Sequence, residues 1–134
     1  MAKLEIVEGI GPIYADKLRK AGIRSTAALL SAGATPEGRK RLAEKTGIGH
    51  EYILDWVNRV DLMRIRGVGE EYSDLLEKAG VDTVIELAQR NPDNLYEALV
   101  KVNEEKKLVR RLPTRDQVAD WIEQAKNLPR VISY

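Results

Sequence analysis

The stretch Glu8-Gly9-Ile10-Gly11-Pro12-Ile13-Tyr14-Ala15-Asp16-Lys17-Leu18-Arg19-Lys20-Ala21-Gly22-Ile23 returns 58 residues later as Arg66-Gly67-Val68-Gly69-Glu70-Glu71-Tyr72-Ser73-Asp74-Leu75-Leu76-Glu77-Lys78-Ala79-Gly80-Val81. Both glycines of each Gly-apolar-Gly coincide, as do the Tyr, the Asp, one Leu and the Lys-Ala-Gly ending. Farther along, Asp55-Trp56-Val57 and Asp120-Trp121-Ile122 correspond at a shift of 65, so the second copy holds a few extra residues around Glu104 to Arg111. A repeat of this kind constrains the architecture before any single element does. It predicts two modules, 1–61 and 62–134. No Ser/Gly/Pro-rich linker separates them, so they are expected to pack as one compact unit.

Each copy carries helical signals nearly throughout. Tyr14, Leu18 and Ala21 recur at i, i+4 and i+7, as do Tyr72, Leu76 and Ala79, and each set makes one apolar stripe. Gly22 and Gly80 stand where a helix C-terminal glycine belongs. Thr35-Pro36 and Asn91-Pro92 put a capping side chain before a proline at the first helical position. Thr83-x-x-Glu86 and Thr114-x-x-Gln117 read as capping boxes. Ile53, Val57 and Val60 line one helix face; Leu95, Leu99 and Val102 line another. The fold class expected is all-α. The tail from Arg130 to Tyr134 is either extended across a helix or frayed.

Composition narrows the chemistry. The 134 residues hold 22 Lys+Arg against 21 Asp+Glu, a formal net charge of +1, with one histidine and no cysteine. Zero cysteines exclude disulfides, a thiolate nucleophile and thiolate zinc sites. The single His50 excludes a His-rich metal cluster and reads as a surface or capping residue. No apolar run approaches the ~20 residues needed to cross a bilayer, and charges interrupt the first ten positions where a signal peptide would lie. A cytoplasmic protein with no membrane contact is therefore expected, with a monomer favoured. The acidic pairs Glu70-Glu71 and Glu104-Glu105 are sequence neighbours that diverge on a helix, so they form no carboxylate dyad. The expectation is no enzyme, no catalytic residue, no metal and no cofactor.

The two Gly-apolar-Gly turns are the candidate site. Glycines let the backbone turn tightly and approach a partner closely. The helix that follows begins with N–H groups lacking intrahelical acceptors, and its dipole adds partial positive charge, a combination suited to phosphate. A looser third version occurs at Thr46-Gly47-Ile48-Gly49-His50, and a degenerate fourth at Arg111-Leu112-Pro113-Thr114.

These residues resemble the helix-hairpin-helix pattern apolar-x-x-Gly-apolar-Gly-x-x-x-Ala of non-sequence-specific DNA binders. The first copy fits as Ile6 to Ala15; the second fits as Arg64 to Ser73, with Ser in place of Ala and the apolar residue at Ile65. Over nearly its whole length the chain is similar to the domain of unknown function 4332 family, tandem helix-hairpin-helix units without an established activity. The resemblance implies two tandem helix-hairpin-helix modules of short helices. It also implies a non-enzymatic module that holds duplex DNA by its backbone phosphates, through Gly9, Ile10, Gly11, Gly67, Val68 and Gly69. Glu8 and Glu70-Glu71 lie at the turns as acidic departures from that pattern. Arg64 and Arg66 offset them in the second module, and Lys17 with Lys20 in the first. The excess charge lies in the first module, +2 against −1 in the second. The alternative is a helical protein–protein interaction adaptor with no nucleic-acid binding, so the candidate partners are duplex DNA and a protein.

Other features have plainer readings. Trp56 and Trp121 are expected in the core. Tyr14 and Tyr72 are expected there as well, a hydroxyl reaching a turn carbonyl. Arg39-Lys40-Arg41, and Lys106-Lys107 with Arg110-Arg111, offer phosphate contacts. The favoured reading is a solvated helix face in each case, paired with Glu37, Glu44, Glu104 and Glu105 at i, i+3 and i+4.

Overall fold

The computed structural model describes residues 2–134, and all of its regular structure is helical. A single 3-10 turn, Leu4–Ile6, precedes α1 (Pro12–Lys20), α2 (Thr26–Ala32), α3 (Pro36–Thr46) and α4 (His50–Leu62). Then follow α5 (Glu70–Lys78), α6 (Val84–Ala88), α7 (Pro92–Lys106) and α8 (Arg115–Lys126). The chain divides into two compact units, Met1–Asp61 with Val131–Tyr134, and Leu62–Arg130.

Helix boundaries follow from capping chemistry. The side chains of Thr35, Asn91 and Thr114 accept hydrogen bonds from the N–H groups of Gly38, Asn94 and Gln117, satisfying donors that the helices themselves cannot. At Thr114 the box is reciprocal, since Gln117 Oε1 also accepts from the Thr114 N–H at 2.8 Å. At Thr83 it is not: Glu86 reaches the Asp82 N–H instead. Ser25 caps α2 by accepting from the Ala28 N–H at 3.1 Å, although no Glu or Gln follows three residues later to announce it. Both α1 and α5 close identically. Ile23 N–H bonds Leu18 O and Gly22 N–H bonds Arg19 O, matched by Val81 to Leu76 and Gly80 to Glu77. This is the double closure that a C-terminal glycine permits.

In the first unit Leu4, Val7, Ile10, Leu18, Leu29, Ile53 and Trp56 are buried; in the second, Ile65, Leu76, Leu87, Leu95, Leu99 and Trp121 are. The buried line of α1 runs through Ala15 and Leu18, one residue off the Tyr14–Leu18–Ala21 stripe, leaving Tyr14 half-exposed. Ser73 takes the place of Ala15 in α5 at full burial, because its hydroxyl bonds back to the Glu70 carbonyl at 3.1 Å. Trp56 and Trp121 are core residues, as their spacing predicts. Tyr72 donates its hydroxyl to Arg111 O at 2.8 Å. Tyr14 instead packs on aromatic rings, 5.1 Å from Trp56 and 5.9 Å from Tyr52 between centroids.

The expected solvated face at Arg39 is a correction. Arg39 is 2% exposed. Its guanidinium donates to Gly33 O at 2.9 Å and to Ser133 O at 2.8 Å, and lies 5.5 Å from the centre of the Tyr134 ring. Ser133 N–H bonds Ala34 O, Tyr134 hydroxyl bonds Asn58, and Ile132 is buried. The tail is thus extended and strapped to the first unit, with a buried charge as its clamp. Hydrogen bonds from a charged donor contribute about 1.5–3 kcal/mol, and removing the donor leaves both carbonyls unsatisfied. Arg39→Leu is therefore expected to destabilise the protein by about 1.5–3 kcal/mol in urea unfolding. It is also expected to expose the last residues to carboxypeptidase; an unchanged midpoint and digestion rate would contradict the clamp.

Candidate functional site

The turns at 9–11 and 67–69 share one geometry. In each, two short bonds lead the chain in: Val7 N–H to Leu4 O and Ile10 N–H to Val7 O in the first, Ile65 to Leu62 and Val68 to Ile65 in the second. Each is near 3.1 Å. The middle residue points inward, with Ile10 at 4% and Val68 at 5% exposure. Gly9 has φ +95° and Gly67 φ +97°. A β-carbon on Gly9 would lie 3.1 Å from Trp56 Nε1, and one on Gly67 3.2 Å from Trp121 Nε1. Glycine is required there on both counts, by dihedral and by space.

The second glycine of each turn is different. Gly11 has φ −88° and ψ −175°, and Gly69 has φ −116° and ψ −151°, extended backbone open to any residue. A β-carbon on either would meet nothing within 4 Å. Neither dihedral nor internal packing demands a glycine at 11 or 69. Both serve as N-caps and, having no side chain, offer no capping oxygen of their own to the helix that follows. Pro12 at the head of α1 removes one donor and leaves those of Ile13 and Tyr14.

The flanking charges are placed unequally. Lys17 is exposed and sits 6.0 Å from the centre of the Tyr14 ring, two turns beyond Gly11. Lys20 is exposed but paired with Asp16 at 3.1 Å. Arg64 donates to Pro129 O at 2.7 Å and so lies against its own unit. Arg66 projects its side chain outward, while its main chain is clasped twice by Gln124, which accepts from Arg66 N–H at 2.8 Å and donates to Arg66 O at 3.1 Å. Arg64 and Arg66 line a hollow of about 400 Å³ with Gln124, Asn127 and Leu128. Glu8, Glu70 and Glu71 are exposed at the turns. Neither Gln124 nor the exposed Ile13 (73%) and Tyr52 (49%) stands out from sequence spacing. Gln124 finds its partner 58 residues away. The looser turn Gly47-Ile48-Gly49 buries Ile48 in the same manner between α3 and α4, with Gly47 at φ +73°. His50 is exposed as the first residue of α4.

Among the described residues no three His, Cys, Asp or Glu side chains converge to hold a metal ion. No helix among them is long and apolar enough to cross a membrane. Over residues 8–128 the chain matches the family described as a domain of unknown function (DUF4332), and it belongs to that family. No solved structure matches it.

The two glycine positions should separate in stability. Gly9→Ala and Gly67→Ala are each expected to cost about 1–3 kcal/mol, the strain of an L-residue at positive φ. Gly11→Ala and Gly69→Ala should be neutral or stabilising by about 0.4–1 kcal/mol, through a more restricted unfolded chain. Thermal melts followed by circular dichroism check the contrast, and equal losses at all four positions would contradict it.

Proposed function

With family membership as the premise, we propose that this chain is a tandem helix-hairpin-helix module that holds duplex DNA by its backbone phosphates, without catalysis and without reading base sequence. The observation that carries this is the second glycine of each turn. A tight connection inside a helical scaffold needs Gly9 and Gly67; it has no use for glycine at 11 and 69, where the fold leaves open space. A bare backbone there lets a ligand approach the amides that follow, and helix N-terminal amides favour phosphate. Amides on phosphates position a protein on a duplex without identifying bases. Uncharged donors also reconcile DNA binding with a net charge of only +1. The first unit offers the better turn, since Pro12 and Ile13 stand where the second unit has Glu70 and Glu71.

The adaptor reading has its own supporting observation. Ile13 and Tyr52 are exposed, and the first unit holds a hollow of about 600 Å³ lined in part by Ala21, Ile23, Ala32 and Leu42. It predicts reproducible recovery of one protein partner from a native lysate, lost on Tyr52→Ala.

Fluorescence anisotropy with labelled duplex tests the DNA reading. Binding should weaken with salt, and Gly11→Glu should lower affinity about tenfold or more, equal to about 1.4 kcal/mol. Gly69→Glu should act in the same direction. Absence of a saturable signal at low salt and roughly tens of micromolar protein, within the range of non-specific binders, would sink the reading.

A further inference from the structure

The four cations Lys106, Lys107, Arg110 and Arg111 do not form the solvated helix face that their spacing suggests. α7 ends at Lys106, and the arginines lie in the connection to α8. All four side chains are exposed, and none is paired with Glu104, Glu105 or any other described acid. Their loop is nonetheless rigidly held. Asn103 clasps Val109 twice, donating to its carbonyl at 3.2 Å and accepting from its N–H at 3.0 Å. Val109 is buried, and Leu108 packs against the core. Tyr72, in the first turn of α5, bonds Arg111 O. That bond brings the loop to the N-terminal end of the helix that follows Gly69.

Two observations set this loop apart from its counterpart in the first unit. First, it is where the second unit exceeds the first: α7 has 15 residues against 11 in α3. The chain then needs only Gly47 to Gly49 to reach α4, but Lys107 to Thr114 to reach α8. Second, both helices end on a left-handed residue, Gly47 at φ +73° and Lys107 at φ +50°. Glycine takes that conformation freely, whereas lysine is strained in it. The second unit thus keeps a cation at a position where backbone chemistry favours glycine. Strain retained in this way marks sites where a side chain is needed.

We propose that the basic loop 106–111 is a second phosphate-binding element, which grips the DNA backbone beside the turn at 67–69 and supplies the positive charge that Glu70 and Glu71 deny that turn. The proposal rests on the DNA reading above. A loop whose main chain is pinned at Val109 and Arg111 carries four exposed cations on a fixed stretch of backbone.

The test is the salt dependence of binding to a short labelled duplex between about 50 and 200 mM salt. Each phosphate neutralised by a cation contributes about 0.9 to the slope of log affinity on log salt. Replacing all four with Gln is expected to flatten that slope by roughly two to four. Lys107→Gly is expected to raise the melting temperature while flattening the slope by about one, opposite directions that a folding defect cannot produce. An unchanged slope in the fourfold variant, with wild-type protein still binding and Gly11→Glu still weakening it, overturns the loop proposal alone. No duplex binding by the wild type, or capture only on anionic vesicles or acidic protein, overturns both.

Discussion

Each Gly-apolar-Gly turn stands on a tryptophan. The indole nitrogens of Trp56 and Trp121 fill the space that a β-carbon on Gly9 or Gly67 would need, at 3.1 and 3.2 Å. The aromatic ring and the positive φ together admit only glycine, and so fix where the chain reverses. The buried middle residue, Ile10 or Val68, pins the turn from inside. What remains for Gly11 and Gly69 is the outward position, at the head of a helix to which they offer no side-chain cap. The core thus decides which backbone groups face outward.

Two units built on this one arrangement differ in how charge surrounds it. The first has a proline-headed helix, an exposed Lys17 and a slight basic excess. The second turns Arg64 onto its own carbonyl at Pro129, sets Glu70 and Glu71 at the helix start, and carries its cations in an added, strained loop. Lysine at a left-handed position costs on the order of 1 kcal/mol, which is a measurable fraction of a domain's stability. The fold holds the residue there through the Lys107 N–H to Asn103 O bond, the double bond between Asn103 and Val109, and the burial of Val109.

Much of the fold was legible because its determinants are local. The turns, the proline-headed helices and the Thr114 box each lie within a few residues, and the repeat supplied a second reading of every motif. The tryptophans were placed correctly for the same reason, since helix periodicity alone buries them. Arg39 was not legible: beside Glu37 and Glu44 it looks like surface, and its burial depends on Ser133, 94 positions away. The clasp of Gln124 on Arg66 and the tie of Tyr72 to Arg111 are equally nonlocal, at separations of 58 and 39. The left-handed Lys107 ends a helix without the glycine or proline that normally announces an end. At the candidate site, spacing gave the glycines but not the difference between them, because two glycines of one motif read alike until their dihedrals and surroundings are known.

The central claim is that turn amides made accessible by Gly11 and Gly69 hold phosphate. Amide-resolved NMR during titration with a short duplex at low salt addresses it most directly. The account predicts progressive, salt-reversible shifts of the Gly11, Ile13 and Tyr14 amides, with Gly69 moving as well and the buried Trp56 and Leu18 amides still. Shifts confined to surfaces remote from both turns, or none at all, would contradict it.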